Sequence, residues 1–406
     1  MGTKQFDSAT DLITFTRASG GTALRKVSYG NELVPNGTFD TDISGWEGYN
    51  DTPLWDNGRL YITAPTAFDG ARTTLNSVPT TTGKRYKLTW DVELGTLSSV
   101  KVEVYGVLSG AGLQGSLTVS ATGSYTLYFT AGYSAANIYL LSGNAVGSAW
   151  FDNISVKEVL YDQPDGTLQL WNHVNNEPRI EYDATGAVKG LLIEEARTNL
   201  VKYSNDFTNG LWSKQSVTLT GGGVSPSGLT DATVITASAL SVQHRIYQNL
   251  ATISSYSKSI YAKSGTANFI SINGGTASVG YAVFNLSTGV VSSQANIVQA
   301  TMEDVGNGWY RCSIHGTVAT TFLIVNMGTT DANAVPQVDW LGAGETVQLY
   351  GAQVEAGAFP TSYIPTTGST ATRAADFAQI PTSAFGYNND KGSLVIDVLT
   401  PVADQF

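Results

Sequence analysis

Residues 190–212, Gly190-Leu-Leu-Ile-Glu-Glu-Ala-Arg-Thr-Asn-Leu-Val-Lys-Tyr-Ser-Asn-Asp-Phe-Thr-Asn-Gly-Leu-Trp212, close one layer of the sequence and open another. The apolar run Gly190–Ile193 is too short for a helix and reads as a strand, and the mixed charged and apolar residues after it read as a hydrogen-bonded turn. From Tyr203 onward the pattern Ser-Asn-Asp-Phe-Thr-Asn-Gly-Leu-Trp echoes Pro35-Asn-Gly-Thr-Phe-Asp-Thr-Asp-Ile-Ser-Gly-Trp46. The echo divides the chain into two copies of one module.

Period-two alternation recurs on both sides of this stretch. In the first copy it marks residues 59–63, 86–92, 100–105, 124–129 and 150–156; in the second, 257–262, 269–272, 281–285, 309–314, 322–325 and 347–350. Runs of this kind, separated by Gly, Ser and Asn clusters, indicate antiparallel β-sandwiches, and no segment shows a helical period. The expected class is all-β: tandem jelly-roll sandwiches joined by a short β connector. The expected division is 1–30 as the first half of the connector, 31–160 as an inserted first module, 161–200 as the second half, 201–366 as the second module, and 367–406 as linker and the first strand of a further sandwich.

Composition narrows the function classes. In 406 residues only 14% are charged, and the formal charge is −11. Without a basic face the chain is not expected to bind nucleic acid. Cys312 stands alone and forms no intrachain disulfide. No apolar leader and no run of about 20 apolar residues appears, so neither export nor membrane insertion is expected. Acceptor tripeptides at Asn36, Asn153 and Asn285 are read as chance.

Catalysis finds little support. His173, His244 and His315 lie in no recognisable motif, and Gly221-Gly-Gly223 lacks the Lys-Ser/Thr of a phosphate loop. Glu194 and Glu195, as neighbours on a strand, point to opposite faces and cannot flank one bond. The chain is expected not to be an enzyme. Asp40-Thr-Asp42-Ile-Ser44-Gly45 followed by Asp51 has the oxygen spacing of a calcium loop, without flanking helices.

Sugar recognition stacks pyranose faces on flat aromatic rings while polar side chains read hydroxyls at the edge. Trp46, Tyr49 and Trp55 surround a Gly/Asn/Asp-rich loop, and Trp212, His244, Arg245 and Tyr247 are the comparable set in the second module. Trp46 and Trp212 also fit core plugs closing each sandwich.

Each copy resembles the jelly-roll carbohydrate-binding modules, whose first strand carries an Asn-Gly-x-Phe-Asp/Glu…Trp motif and whose last reads like Phe151-Asp-Asn-Ile-Ser-Val156. That resemblance implies a structural calcium at Asp40 with a partner near Asp152; in the second module Gly351 stands at that place. Glu177-Pro-Arg-Ile-Glu-Tyr-Asp183, Gly190–Leu200, Thr301–Arg311, and Leu349-Tyr-Gly-Ala-Gln353 with Tyr363–Asp376 resemble the signature of phage tail and tail-fibre proteins. An opening like Thr14-Phe-Thr-Arg-Ala-Ser19 normally runs soon into the Glu-Pro-Arg segment, so the first module reads as an insertion, and strand 12–16 is expected beside 177–193. Residues 391–401 are similar to the first strand of a laminin-G or concanavalin-like domain.

The resemblance implies a virion appendage, a tail fibre or spike made in the host cytoplasm, binding host-surface polysaccharide beside other virion proteins and forming a homo-oligomer, commonly a trimer. Two other readings stand beside it: a purely structural virion protein whose modules mediate oligomer contacts, and the accessory region of a polysaccharide depolymerase.

Overall fold

The computed structural model describes residues 13–106, 112–274 and 279–382. The strand expected at 391–401 lies outside them. The chain forms two compact units, one of residues 27–166 and one of residues 1–26 with 167–406, and the boundary falls inside the strand Gly21–Glu32.

The unit of residues 27–166 is a sandwich of two antiparallel sheets. Its strands are β1 (Trp46–Tyr49), β2 (Leu60–Ile62), β3 (Gly70–Thr73), β4 (Arg85–Leu94), β5 (Val100–Tyr105), β6 (Leu113–Val119), β7 (Gly123–Thr130), β8 (Ala135–Ser142) and β9 (Ala149–Tyr161). One sheet runs β1-β3-β8-β5-β6, the other β2-β9-β4-β7. Alternation decides which side is buried: Val100, Val102, Val104, Ile138 and Leu140 from one sheet meet Tyr86, Leu88, Trp90, Phe151 and Val156 from the other.

The second sandwich repeats this order. Its strands are β10 (Ser213–Gln215), β11 (Ala232–Ala237), β12 (Arg245–Ile253), β13 (Tyr256–Ser264), β14 (Phe269–Asn273), β15 (Tyr281–Asn285), β16 (Trp309–Gly316), β17 (Thr320–Gly328) and β18 (Thr346–Ala356). One sheet runs β10-β12-β17-β14-β15 and the other β11-β18-β13-β16, the same two permutations, extended here by Val290–Ala295 beside β15 and by Val217–Gly223 and Gln299–Asp304 at the two edges of the second sheet. Details repeat too. Asn36 and Tyr203 both adopt positive φ, at 51° and 50°. Their carbonyls accept the indole N–H of Trp46 at 3.2 Å and of Trp212 at 3.0 Å, and each indole lies edge-on to a buried phenylalanine, Phe39 or Phe207. The last strand of each copy carries a bulge with a left-handed residue, Asn153 or Gly351. That register corrects one expectation: the position equivalent to Asp152 is Tyr350, and Gly351 matches Asn153.

Beside the second sandwich the connector segments meet. Arg17 N donates to Asn176 Oδ1 at 3.0 Å, and Arg25 pairs with Glu177 at 2.8 Å. The strand Thr14–Thr16, however, pairs with Phe377–Gln379, not with 177–193, where Ile180–Tyr182 and Val188–Leu191 form a hairpin of their own. The physical reason lies one residue on, where Arg17 Nη1 reaches Asp376 Oδ1 at 3.2 Å and brings the two short strands together.

Arg17 and Asp376 belong to a buried ion cluster. Arg179 pairs with Asp376 and, at 2.9 Å, with Glu194, while Arg373 lies 3.5 Å from Glu194. Ser362 donates to both oxygens of Glu194, at 2.7 and 2.6 Å. Burial opposes ionisation of Glu194, but Arg373 and Arg179 hold its pKa below the ordinary value. Charges of this kind are costly to bury singly and hold together only as a completed set.

Candidate functional site

The outward face of β1-β3-β8-β5 in the first sandwich gathers aromatic and charged groups in one patch. Its register aligns Glu47, Arg72, Tyr139 and Glu103 in one row across four strands. Their neighbours Ala71, Ile138, Leu140, Val102 and Val104 fill the core, so alternation turns the row outward. Arg72 Nε donates to Glu47 Oε1 at 2.8 Å and Nη1 to the Tyr139 hydroxyl at 3.3 Å. Tyr139, with support from Glu47, raises the Arg72 pKa.

Tyr139 is the floor of an aromatic strip. Tyr49 packs edge-on to it at 5.2 Å from one side and Tyr105 at 5.1 Å from the other, and the Arg72 guanidinium lies 5.8 Å from the rings of both Tyr49 and Tyr139. Glu103, only 5% exposed, accepts from the Tyr105 hydroxyl at 3.1 Å and pairs with Lys101 at 2.5 Å. Burial and Glu103 push the Tyr105 pKa up to about 12. Lys101 in turn lies 5.8 Å over the ring of exposed Phe68. Tyr139 is itself only 4% exposed and serves as support, so the face offers the half-exposed rings of Tyr49 and Tyr105, flanked by two acid–base pairs, a combination that fits a polyhydroxylated ring.

Tyr49 is the one residue of the sequence-derived set in this strip. Trp46 is buried as a core plug, and Trp212, 2% exposed, is its counterpart; neither offers a ring face to a ligand. Trp55 is 45% exposed, with its indole fixed by a 2.7 Å bond to the Phe39 carbonyl, at the edge strand Leu54–Trp55. His244 is also removed from ligand contact: it is 1% exposed, its nitrogens contact the carbonyls of Ser216 and Trp340, and its ring packs edge-on to Trp340. Arg245 and Tyr247 do turn outward, on β12. Arg72, Tyr139, Tyr105 and Glu103 escaped the sequence reading because only cross-strand register unites them.

The carboxylates of the calcium pattern make turns. Asp42 accepts from Ser44 N and from Asn36 Nδ2, and Asp51 from the backbone of Thr52, Thr63 and Ala64. Burial, with smaller contributions from Asp91 and Asp40, raises the Asp152 pKa, yet among the described residues no three His, Cys, Asp or Glu side chains are grouped to hold a metal ion. The expected donor set Asp40, Asp42 and Asp152 is not assembled, because Asp42 faces its own turn.

His173 lies 3.3 Å from Glu177, and His315 Nδ1 contacts the Tyr256 carbonyl. Burial pushes the Cys312 thiol well up. Among the described residues none of these histidines is hydrogen-bonded to a hydroxyl or thiol nucleophile. Glu194 is buried in the ion cluster while exposed Glu195 pairs with Arg197, the divergence expected of strand neighbours.

No protein-family model matches the chain, and no curated protein matches it. Among solved structures it is similar to one titled "CBM4 structure and function", at 18% identity over 31% of this chain and 99% of that one, with a TM-score of 0.27. It is similar also to the tandem CBM22-1–CBM22-2 domain of Xyn10C from Paenibacillus barcinonensis, at 14% identity over 81% of this chain and 98% of that one, TM-score 0.26. At such values the similarity assigns neither ligand nor activity to this chain.

Proposed function

We propose that this chain is a non-enzymatic component of a phage virion appendage, a tail fibre or spike, and that its first sandwich binds host-surface glycan through the Tyr49–Tyr139–Tyr105 face. The observation that carries the binding reading is that strip itself: three tyrosines packed ring to ring, with Arg72, Glu47, Glu103 and Lys101 around them. Pyranose C–H groups would lie on the half-exposed rings of Tyr49 and Tyr105, which Tyr139 supports from below, while the paired charges meet hydroxyls. The appendage reading is supported by the signature segments, whose Arg17, Arg179, Glu194, Arg373 and Asp376 converge in one buried cluster and so act as architecture.

A glycan array and intact host cells, probed with wild type, Tyr49→Ala and Trp55→Ala, test it. Tyr49→Ala is expected to lower binding about tenfold, in the range of one well-placed ring, and Trp55→Ala to change it less. Absence of any binding by wild type would leave the purely structural virion role, which one observation favours: in the second sandwich the short helix Asp331–Ala334 covers the middle of the equivalent face, where Ser271 Oγ donates to the Ala334 carbonyl at 2.6 Å.

A further inference from the structure

The second sandwich places an arginine at the position of Arg72 and changes what surrounds it. Arg245 on β12 is registered with Gln215 on β10 and Asn326 on β17, as Arg72 is with Glu47 and Tyr139. Its Nε donates to Gln215 Oε1 at 2.7 Å, the geometry of the 2.8 Å bond from Arg72 to Glu47, but the acceptor is neutral. Nη1 and Nη2 of Arg245 have no hydrogen-bond partner among the described residues, and no carboxylate there lies within ion-pair distance; Asp339 acts on it only from farther away. Burial, uncompensated by a close acid, lowers its pKa, the opposite direction from Arg72.

Beside that free fork lies an apolar surface. The guanidinium is 5.7 Å from the Tyr247 ring, which packs edge-on to Phe322 at 6.4 Å, and both rings are half-exposed. Exposed Asn249 stands in register with Phe322. The helix Asp331–Ala334 covers Ser271 and its neighbour Asn326, leaving the β10–β12 side of the face outside that cover.

We propose that Arg245, Tyr247 and Phe322 form a second binding site, specific for a sugar that carries a carboxylate, such as a uronic or sialic acid residue. The carboxylate meets Nη1 and Nη2 side by side, the planar two-point contact that guanidinium makes best, and the sugar ring rests on Tyr247 and Phe322. The first sandwich selects differently, because Glu47 and Glu103 already engage its two cations, Arg72 and Lys101. This inference rests on the glycan-binding reading.

The test is an array of uronate- and sialate-terminated oligosaccharides, each beside its carboxyl-reduced partner and neutral controls, probed with the full chain. Wild type is expected to bind some acidic probes at least tenfold better than their reduced partners. Arg245→Gln should erase that preference while leaving the neutral probes and the thermal melt unchanged, and Arg245→Lys should restore it only in part. Equal binding of acid and reduced partners, or an acid preference that survives Arg245→Gln, overturns the inference. Binding of neutral probes alone refutes this site and leaves the first reading standing; binding of none refutes both.

Discussion

The two sandwiches share strand order, bulge position and tryptophan plug, and they differ in what they place at matched positions. Leu88 on β4 and Lys258 on β13 are such a pair: each follows a buried tyrosine by two residues, and each faces a valine of the last strand, Val156 or Val354. Leu88 fills the first core. Lys258 crosses the second, where its Nζ donates to the carbonyls of Phe322 at 2.7 Å and Asn273 at 3.2 Å and lies 4.4 Å over the Tyr256 ring. The outward faces differ in the same way, open and aromatic in one copy, partly covered in the other. The framework tolerates such exchange because backbone ladders and the Phe–Trp plug fix it, while single positions on either side of a sheet are free to change.

The largest difference between the two lies at the ion cluster, which has no equivalent on the described part of the first sandwich. Asp376→Asn leaves three arginines around Glu194 alone, and should destabilise the connector and second sandwich by about 3–5 kcal/mol. Hydrogen exchange on the full chain reads this: protection should fall in residues 167–379 and stay unchanged in 34–156. Equal loss in both would mean that the two sandwiches do not unfold independently.

The lysine–leucine exchange gives a smaller, pH-dependent effect. Burial lowers the Lys258 pKa to about 7, against an ordinary value of 10.5. Between those values the unfolded chain holds a proton that the folded chain lacks, so stability rises with pH from about 7 toward 10, with a slope approaching about 1.4 kcal/mol per pH unit. Denaturant titrations across that range should show the rise in wild type and lose it in Lys258→Met. A slope that survives the substitution would place its source elsewhere. The smallest effect concerns the turn carboxylates Asp42 and Asp51: calcium or a chelator should leave the melt unchanged, and a shift of several degrees would show that Asp40, Asp91 and Asp152 recruit an ion.

Much of this was legible in the chain and some was not, for identifiable reasons. Strands such as Tyr86–Val92 announce themselves by alternation, and Asn36…Trp46 against Tyr203…Trp212 reveals the repeat, because both signals are local. Lys258 alternates in step with Tyr256, Ile260 and Ala262 on the core side of its strand, and only the opposing carbonyls explain how a lysine is held there. The pairing of Thr14–Thr16 with Phe377–Gln379 depends on Arg17 meeting Asp376 across almost the whole chain. The binding face hides for the same reason: Tyr49 stood near a recognisable loop, whereas Arg72, Tyr139 and Glu103 become neighbours only through register.

The proposed binding mode puts sugar on the outward face of β1-β3-β8-β5. A crystal structure of the full chain with an oligosaccharide bound on the array tests it most directly. A pyranose ring against Tyr49 or Tyr105, with a hydroxyl within hydrogen-bond distance of Arg72 or Glu47, is the expected result. Sugar bound at the Trp55 edge, with the Tyr49–Tyr139 face bare, would contradict it.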